Sequence, residues 1–156
     1  MPRSSDIRIE AIEHSYEDFV YRTPIKFGGV ALDRVTVLNV KSRVRTVGGK
    51  TAAGFGSMPL SNVWAFPSKT MKYDQTLAAM KALTENIAKL TGDCKEIGHP
   101  IDLTWTLEPA YMKADDEVSK QLGLTEPIPP LCTLVVGSAF DAALHDAFGK
   151  AHGLNC

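Results

Sequence analysis

Paired cysteines are missing from this sequence. Its 156 residues hold three, Cys94, Cys132 and Cys156, far apart and odd in number. No C-x-x-C or Cys/His cluster exists, so neither a disulfide framework nor a zinc site is indicated, and a reducing, cytoplasmic setting is expected. An excess of basic charge is missing too. Seventeen Lys and Arg against 18 Asp and Glu leave a net charge of −1, so no field points to nucleic acid or to an anionic membrane surface. The longest apolar stretch, near the C-terminus, is interrupted by Asp141 and Asp146 short of the ~20 residues that a membrane span needs. Met1 to Asp6 contain no apolar run of the kind a signal peptide carries. Neither an internal repeat nor a low-complexity segment occurs. No Ser/His/Asp set, phosphate loop or pair of carboxylates stands out. His145 and His152 lie about two helical turns apart with no third ligand spaced to join them. The acidic run Asp115, Asp116, Glu117 reads as a solvated face or a first-turn group on a short helix.

What is present is an ordinary globular composition, 44% hydrophobic and 22% charged, in a chain of single-domain length. Ile7, Ile9 and Ala11 alternate with Arg8 and Glu10 as in a half-buried strand. From His14 to Val30 the alternation stops. Pro24, Gly28 and Gly29 then predict a loop, although Tyr16, Phe19, Tyr21, Ile25 and Phe27 make it unusually apolar. Val35 to Arg45 predicts a second strand, Gly48-Gly49 a hairpin turn, and Thr51 to Gly56 the returning strand. Gly54 and Gly56 there suggest close approach of another backbone. Ser57 to Ser68 reads as irregular.

Leu77, Met80, Leu83, Ile87 and Leu90 recur at helical intervals and predict an amphipathic helix from Tyr73 to Leu90, with Asp74 at its start and Gly92 at its stop. His99-Pro100 opens a short helix to about Met112, and another short helix is expected from Asp115 to Leu122. Strands first and helices after define an α+β fold, a three-stranded antiparallel meander followed by a helical bundle.

The last stretch, Leu131 to Cys156, predicts a helix that is apolar on nearly every side. Leu134, Val135, Ala139, Ala142, Ala143 and Phe148 cover one flank; Val136, Phe140, Leu144 and Ala147 cover the other. Such a helix belongs inside a large core. The first flank is expected to pack on the Leu77–Ile87 stripe. The second is expected to lack a neighbour, as if the chain stopped where a larger protein continues.

Three stretches, in order, resemble the N-terminal capping domain of the mandelate racemase and muconate-lactonizing branch of the enolase superfamily. Ile7 to Glu13 (I-R-I-E-A-I-E), with Tyr21 to Val30 (Y-R-T-P-I-K-F-G-G-V), is similar to the family's opening strand and first lid loop. Val35 to Pro59 is similar to its meander, including the G-x-G-x-x-P ending at Gly54, Gly56 and Pro59. Ser138 to Leu154 is the most specific stretch, with an Ala-x-Asp step at Ala139 and Asp141 and an Asp-x-x-Gly-Lys close at Asp146, Gly149 and Lys150. His145 stands where the family often has Trp, and Ser57 where many members have Glu.

The resemblance implies a cap over a (β/α)-barrel in an enzyme that abstracts a proton α to a carboxylate, with Mg²⁺ stabilising the enediolate and a Lys or His base. Dehydratase, epimerase or racemase, and cycloisomerase chemistry are left open. Residues 1–130 would be the cap and 131–156 the helix leading into a barrel of the same polypeptide. By resemblance, Pro24, Ile25, Lys26 and Phe27 lie on the first lid loop and Phe55, Ser57 and Met58 on the second. No catalytic or metal residue is carried over: Lys-x-Lys is absent, and Mg²⁺ belongs to the full-length parent only. The implied partners are that barrel and a small carboxylate substrate, with homo-oligomerisation left open. The alternative is a stand-alone binding module that keeps the cap fold and dimerises through its terminal helix.

Overall fold

Gly48 and Gly49 set the frame of the sheet. Gly49 has φ +89°, which L side chains rarely adopt, and the amides of Thr46 and Gly49 donate to the carbonyls of Lys50 and Thr46 at 2.8 and 2.9 Å to close the turn. The computed structural model describes residues 2–27 and 29–154; Gly28 and Cys156, which figure in the sequence reading, lie outside the described residues. On either side of the turn run β2 (Val30–Thr46) and β3 (Thr51–Pro59), and β1 (Ile7–Phe27) completes an antiparallel sheet in the order β1-β2-β3. The α+β meander is as the sequence implies.

The expected loop from His14 to Val30 is instead strand. β1 pairs with β2 from Ile7↔Thr46 to Phe27↔Val30, interrupted between Val20 and Ile25, where Tyr21 to Pro24 stand opposite Asp33 alone. β3 pairs only from Arg45↔Thr51 to Val37↔Pro59. Beyond that point the sheet thins to a two-stranded arm. Its alternation is invisible in the sequence because nearly every residue from Glu17 to Phe27 is exposed, and alternation appears only where one face is buried. The irregularity also accommodates Pro24, which has no N–H to give to a ladder.

Two helices, α2 (Tyr73–Gly92) and α4 (Pro130–His152), cover one face of the sheet, and α3 (Pro100–Gln121) packs against both of them. A single turn, α1 (Asn62–Ala65), interrupts the segment expected to be irregular, and β3 claims Ser57 to Pro59 from it. On α2 the predicted stripe is real: Met80, Leu83 and Ile87 are buried, and Leu77 and Leu90 partly covered. Asp74 lies in its first turn. The two short helices expected between His99 and Leu122 are one, because Leu103, Leu107, Tyr111, Ala114 and Val118 form an unbroken buried row. Pro109 sits inside that helix on its exposed side, where water can satisfy the carbonyl that its missing N–H leaves free.

The terminal helix corrects the sequence reading most. Val136, Phe140, Leu144 and Ala147, the flank expected to lack a neighbour, are all buried within this chain. Val136 and Phe140 join the core around Leu38, Val40, Met80 and Leu83. Leu144 and Ala147 join Ile7, Ile9, Val44 and Leu103. The other flank is the partly open one, with Leu134 exposed at 47%. By length and composition α4 also qualifies as a membrane-spanning helix, contrary to expectation. Its enclosure between the sheet and the other helices explains the apolarity without a bilayer.

Gly54 and Gly56 make this enclosure possible. A Cβ on Gly54 would overlap the Ala143 carbonyl oxygen and Ala147 of α4, and one on Gly56 would overlap the Ala139 carbonyl oxygen. Helix and edge strand therefore touch backbone to backbone. Ser42 Oγ donates to the Ala143 carbonyl at 2.7 Å, and the Phe55 amide, on the free edge of β3, donates to Asp146 Oδ2 at 2.8 Å.

Candidate functional site at the hairpin tip

The last pairs of the arm, Ile25↔Leu32, Lys26↔Ala31 and Phe27↔Val30, carry the residues that the resemblance assigns to a first lid loop. Alternation puts Ile25 and Phe27 on one side of β1 and Lys26 on the other. Ile25, Phe27 and Val30 are each about half exposed, at 52, 49 and 48%. For a strand end this is a concentrated apolar surface.

Below it lies α1, whose position is fixed from α2. Asn62 Nδ2 donates to the Tyr73 carbonyl and to Thr76 Oγ1, both at 2.9 Å. That clamp holds Trp64, 39% exposed, against the arm. Two adjoining hollows result. One, of about 450 Å³, is walled by Phe27, Val30, Trp64, Phe66 and Met71. The other, of about 260 Å³, is walled by Tyr21, Ile25, Phe27, Leu32, Trp64 and Tyr73. Phe27, Trp64 and Tyr73 are common to both. The larger one falls within the ~300–1,000 Å³ of small-molecule sites, which are likewise mostly apolar with few polar groups.

The charge at this site is already committed. Arg34 stacks its guanidinium 4.9 Å from the Tyr73 ring centre and donates to Asp74 Oδ1 at 2.9 Å. Burial raises the Tyr73 phenol above its ordinary range, with Arg34 pulling the other way. Among the described residues the cleft has no nucleophile beside a base and no acid–base pair. Its surfaces can exclude water and press on an apolar group.

The residues that the resemblance assigns to a second lid loop are elsewhere. With Gly54 and Gly56 turned to α4, Phe55 and Ser57 face the open side of the sheet, where Ser57 Oγ donates to Asn39 Oδ1 at 2.9 Å. Met58 packs on the core. None of the three lines the cleft, and neither Pro24 nor Lys26 does. Ile25 and Phe27 are the sequence candidates that the structure brings together. Tyr21, within the stretch similar to the first lid loop, joins them, and Trp64 and Tyr73, which the sequence does not mark as site residues, complete the surface. The signal for Trp64 was the density of large apolar groups in the irregular W-A-F-P segment, which a solvated connection does not need. Among the described residues no group of three His, Cys, Asp or Glu is placed to hold a metal ion.

A three-stranded antiparallel meander followed by helices is the fold that the sequence resemblance implies. Among solved structures the chain is similar to L-talarate/galactarate dehydratase from Salmonella typhimurium LT2, with a TM-score of 0.51 and 19% identity over 95% of this chain and 31% of that one. It is also similar to an enolase from the alpha proteobacterium bal199 with bound Mg, with a TM-score of 0.51 and 11% identity over 94% of this chain and 32% of that one. At these identities the likeness is one of fold. The chain spans about a third of the length of the structures it matches. No family model and no curated relative matches the sequence.

Proposed function

We propose that this chain is the capping domain of an enolase-superfamily acid–base enzyme, and that the hairpin tip with Trp64 is its lid. The supporting observation is the tip itself. Ile25, Phe27, Val30 and Trp64 are large apolar groups held at the surface around a cleft, away from the core that stabilises the domain. Apolar groups exposed together in this way mark a surface that meets something else. In this reading they close over a small carboxylate held at the mouth of a (β/α)-barrel of the same polypeptide, shedding water from the reacting centre. Mg²⁺ and the base that removes the α-proton belong to the barrel, where such sites are built at strand ends. This chain's own share is positional: Phe27 and Trp64 shape the pocket roof, and Asn62 holds Trp64 in place. α4, besides its place in the core, leads the chain toward the barrel. Cys94 and Cys132 are unpaired, which agrees with a cytoplasmic setting.

The test begins with the complete open reading frame that contains these residues. The enzyme expressed from it, supplied with Mg²⁺ and a panel of small carboxylates in deuterated water, is expected to exchange the α-proton of at least one. Phe27→Ala and Trp64→Ala are expected to lower kcat/KM about ten-fold through looser closure, with the melting temperature nearly unchanged. A frame that stops at Cys156, or tip variants with unaltered kinetics, would remove the proposal.

A further inference from the structure

At the far end of the arm's own strands, on the face of the sheet that no helix covers, three arginines converge on one carboxylate. The register sets Arg8 directly opposite Arg45, a like-charged cross-strand pair that is unfavourable unless something neutralises it. Glu10 does so from a β-bulge: the register shifts between Ile9 and Ala11, leaving Glu10 as the extra residue. Bulges re-aim a side chain and collect near sites. Here the bulge brings Glu10 to Arg45 Nε, within 3.6 Å of Arg43 Nε and within 3.8 Å of an Arg8 Nη.

One arginine would satisfy Glu10. Three leave the cluster at a net +2 in a chain whose total is −1. Arg43 and Arg45 both approach Glu10 through Nε, so their Nη groups, on side chains 63 and 40% exposed, are left to point donors at solvent. Glu10, by contrast, is only 18% exposed beneath them. The hydrogen bond from Arg45, with the charges of Arg8 and Arg43, holds the Glu10 carboxyl below the usual carboxylate range, so the arrangement keeps its charge at neutral pH. The basin formed by Arg8, Glu10, Arg43, Arg45 and Thr51 is broad and open. It lies on the order of 50 Å along the ribbon from the hairpin tip, at about 3.3 Å per residue, and stands apart from the lid.

We propose that Arg8, Arg43 and Arg45 form a binding site for a phosphate dianion, with Glu10 as the internal spacer that fixes the guanidiniums. Planar guanidiniums offering paired N–H donors suit tetrahedral oxyanions, and a +2 basin matches a dianion in charge. A free phosphate and a phosphate monoester on a larger molecule present the same group.

The test is a titration of the whole chain at low ionic strength, reading the Arg Nε–H signals by nuclear magnetic resonance. The probes are inorganic phosphate, O-phosphoserine, and sodium chloride at matched ionic strength. Saturable shifts of Arg8, Arg43 and Arg45 with phosphate, absent with chloride, are expected. Tighter binding of O-phosphoserine than of inorganic phosphate would assign the site to a phosphate carried on a larger molecule, and tighter binding of inorganic phosphate would assign it to the free anion. Arg43→Gln is expected to weaken binding at least ten-fold. Arg8→Gln, which removes only the longest contact to Glu10, preserves the fold and is expected to weaken it several-fold. Chloride reproducing the shifts, or Arg8→Gln binding phosphate as tightly as the unchanged chain, would overturn the proposal.

Discussion

Gly56 on β3 faces Ala139 on α4 with no room for a side chain between them: a Cβ on the glycine would overlap the alanine's carbonyl oxygen. The same contact recurs one helical turn on, between Gly54 and Ala143. A backbone cannot move aside as a flexible side chain can. Gly56→Ala is therefore expected to destabilise the domain by at least about 3 kcal/mol, the upper range for overpacking. Gly48→Ala serves as control, because its nearest neighbours stand 3.8 Å away; it should fall within about 0.5 kcal/mol. Urea unfolding of the two variants compares them directly.

Asp146 ties two partners together at the same helix. Its carboxylate accepts from Lys150 Nζ at 2.6 Å and from the Phe55 amide at 2.8 Å, and these bonds, the lysine first, hold its pKa below the ordinary value. A depressed folded pKa means stability that is present above the unfolded value near 4 and lost as pH falls through the folded one. Asp146→Ala should remove about 1 kcal/mol at pH 7 and flatten the decline in melting temperature below pH 4. An unchanged acid limb would show that the contact to Phe55 carries no stability.

Asp115 has the opposite sign. It is buried against Thr133, whose Oγ1 donates to it at 3.1 Å, and burial raises its pKa. The folded state therefore holds this proton to higher pH than the unfolded chain does, and stability falls as pH rises through that window. Asp115→Asn keeps the acceptor for Thr133 and removes the charge. It is expected to raise the melting temperature at pH 7 and to have little effect near pH 3; a lower melting temperature at pH 7 would refute this.

Burial separates the two described cysteines. Cys132 is enclosed and its thiol is pushed up to about 12, whereas Cys94 is half-buried. In a Cys156→Ser background, a thiol reagent should label Cys94 in the native protein and reach Cys132 only on unfolding. Fast labelling of both without denaturant would contradict the packing of α4.

How much of this was legible depended on burial. The α2 stripe, the Gly48-Gly49 turn and the close approach at Gly54 and Gly56 each follow from residues whose neighbours constrain them, and the sequence displays them. The arm does not follow, because strand alternation needs one wet and one dry face, and Glu17 to Phe27 have almost no dry one. α3 looked broken at Asp115 because an acidic run reads as surface, yet Asp115 is inside. The terminal helix misled differently. Its apolarity was read correctly, but a linear sequence does not show that a thin sheet edge of glycines lets one helix be enclosed on both flanks. Ile25 and Phe27 are named in the sequence through resemblance alone, and both line the cleft. Trp64 was missed because its role depends on a four-residue helix with no periodicity to detect.

Apart from the step where Tyr21 to Pro24 face Asp33, the arm's ladder pairs neighbours one to one, and it contributes little to the core. Its length is thus nearly independent of the domain's stability. Matched residues can be removed from both strands between Asp18↔Thr36 and the tip without disturbing either packed cluster, carrying the tip inward by roughly 3.3 Å for each cross-strand pair. Reach and foldedness are separately adjustable here, so the distance of the tip from the core is free to change while the interior stays the same.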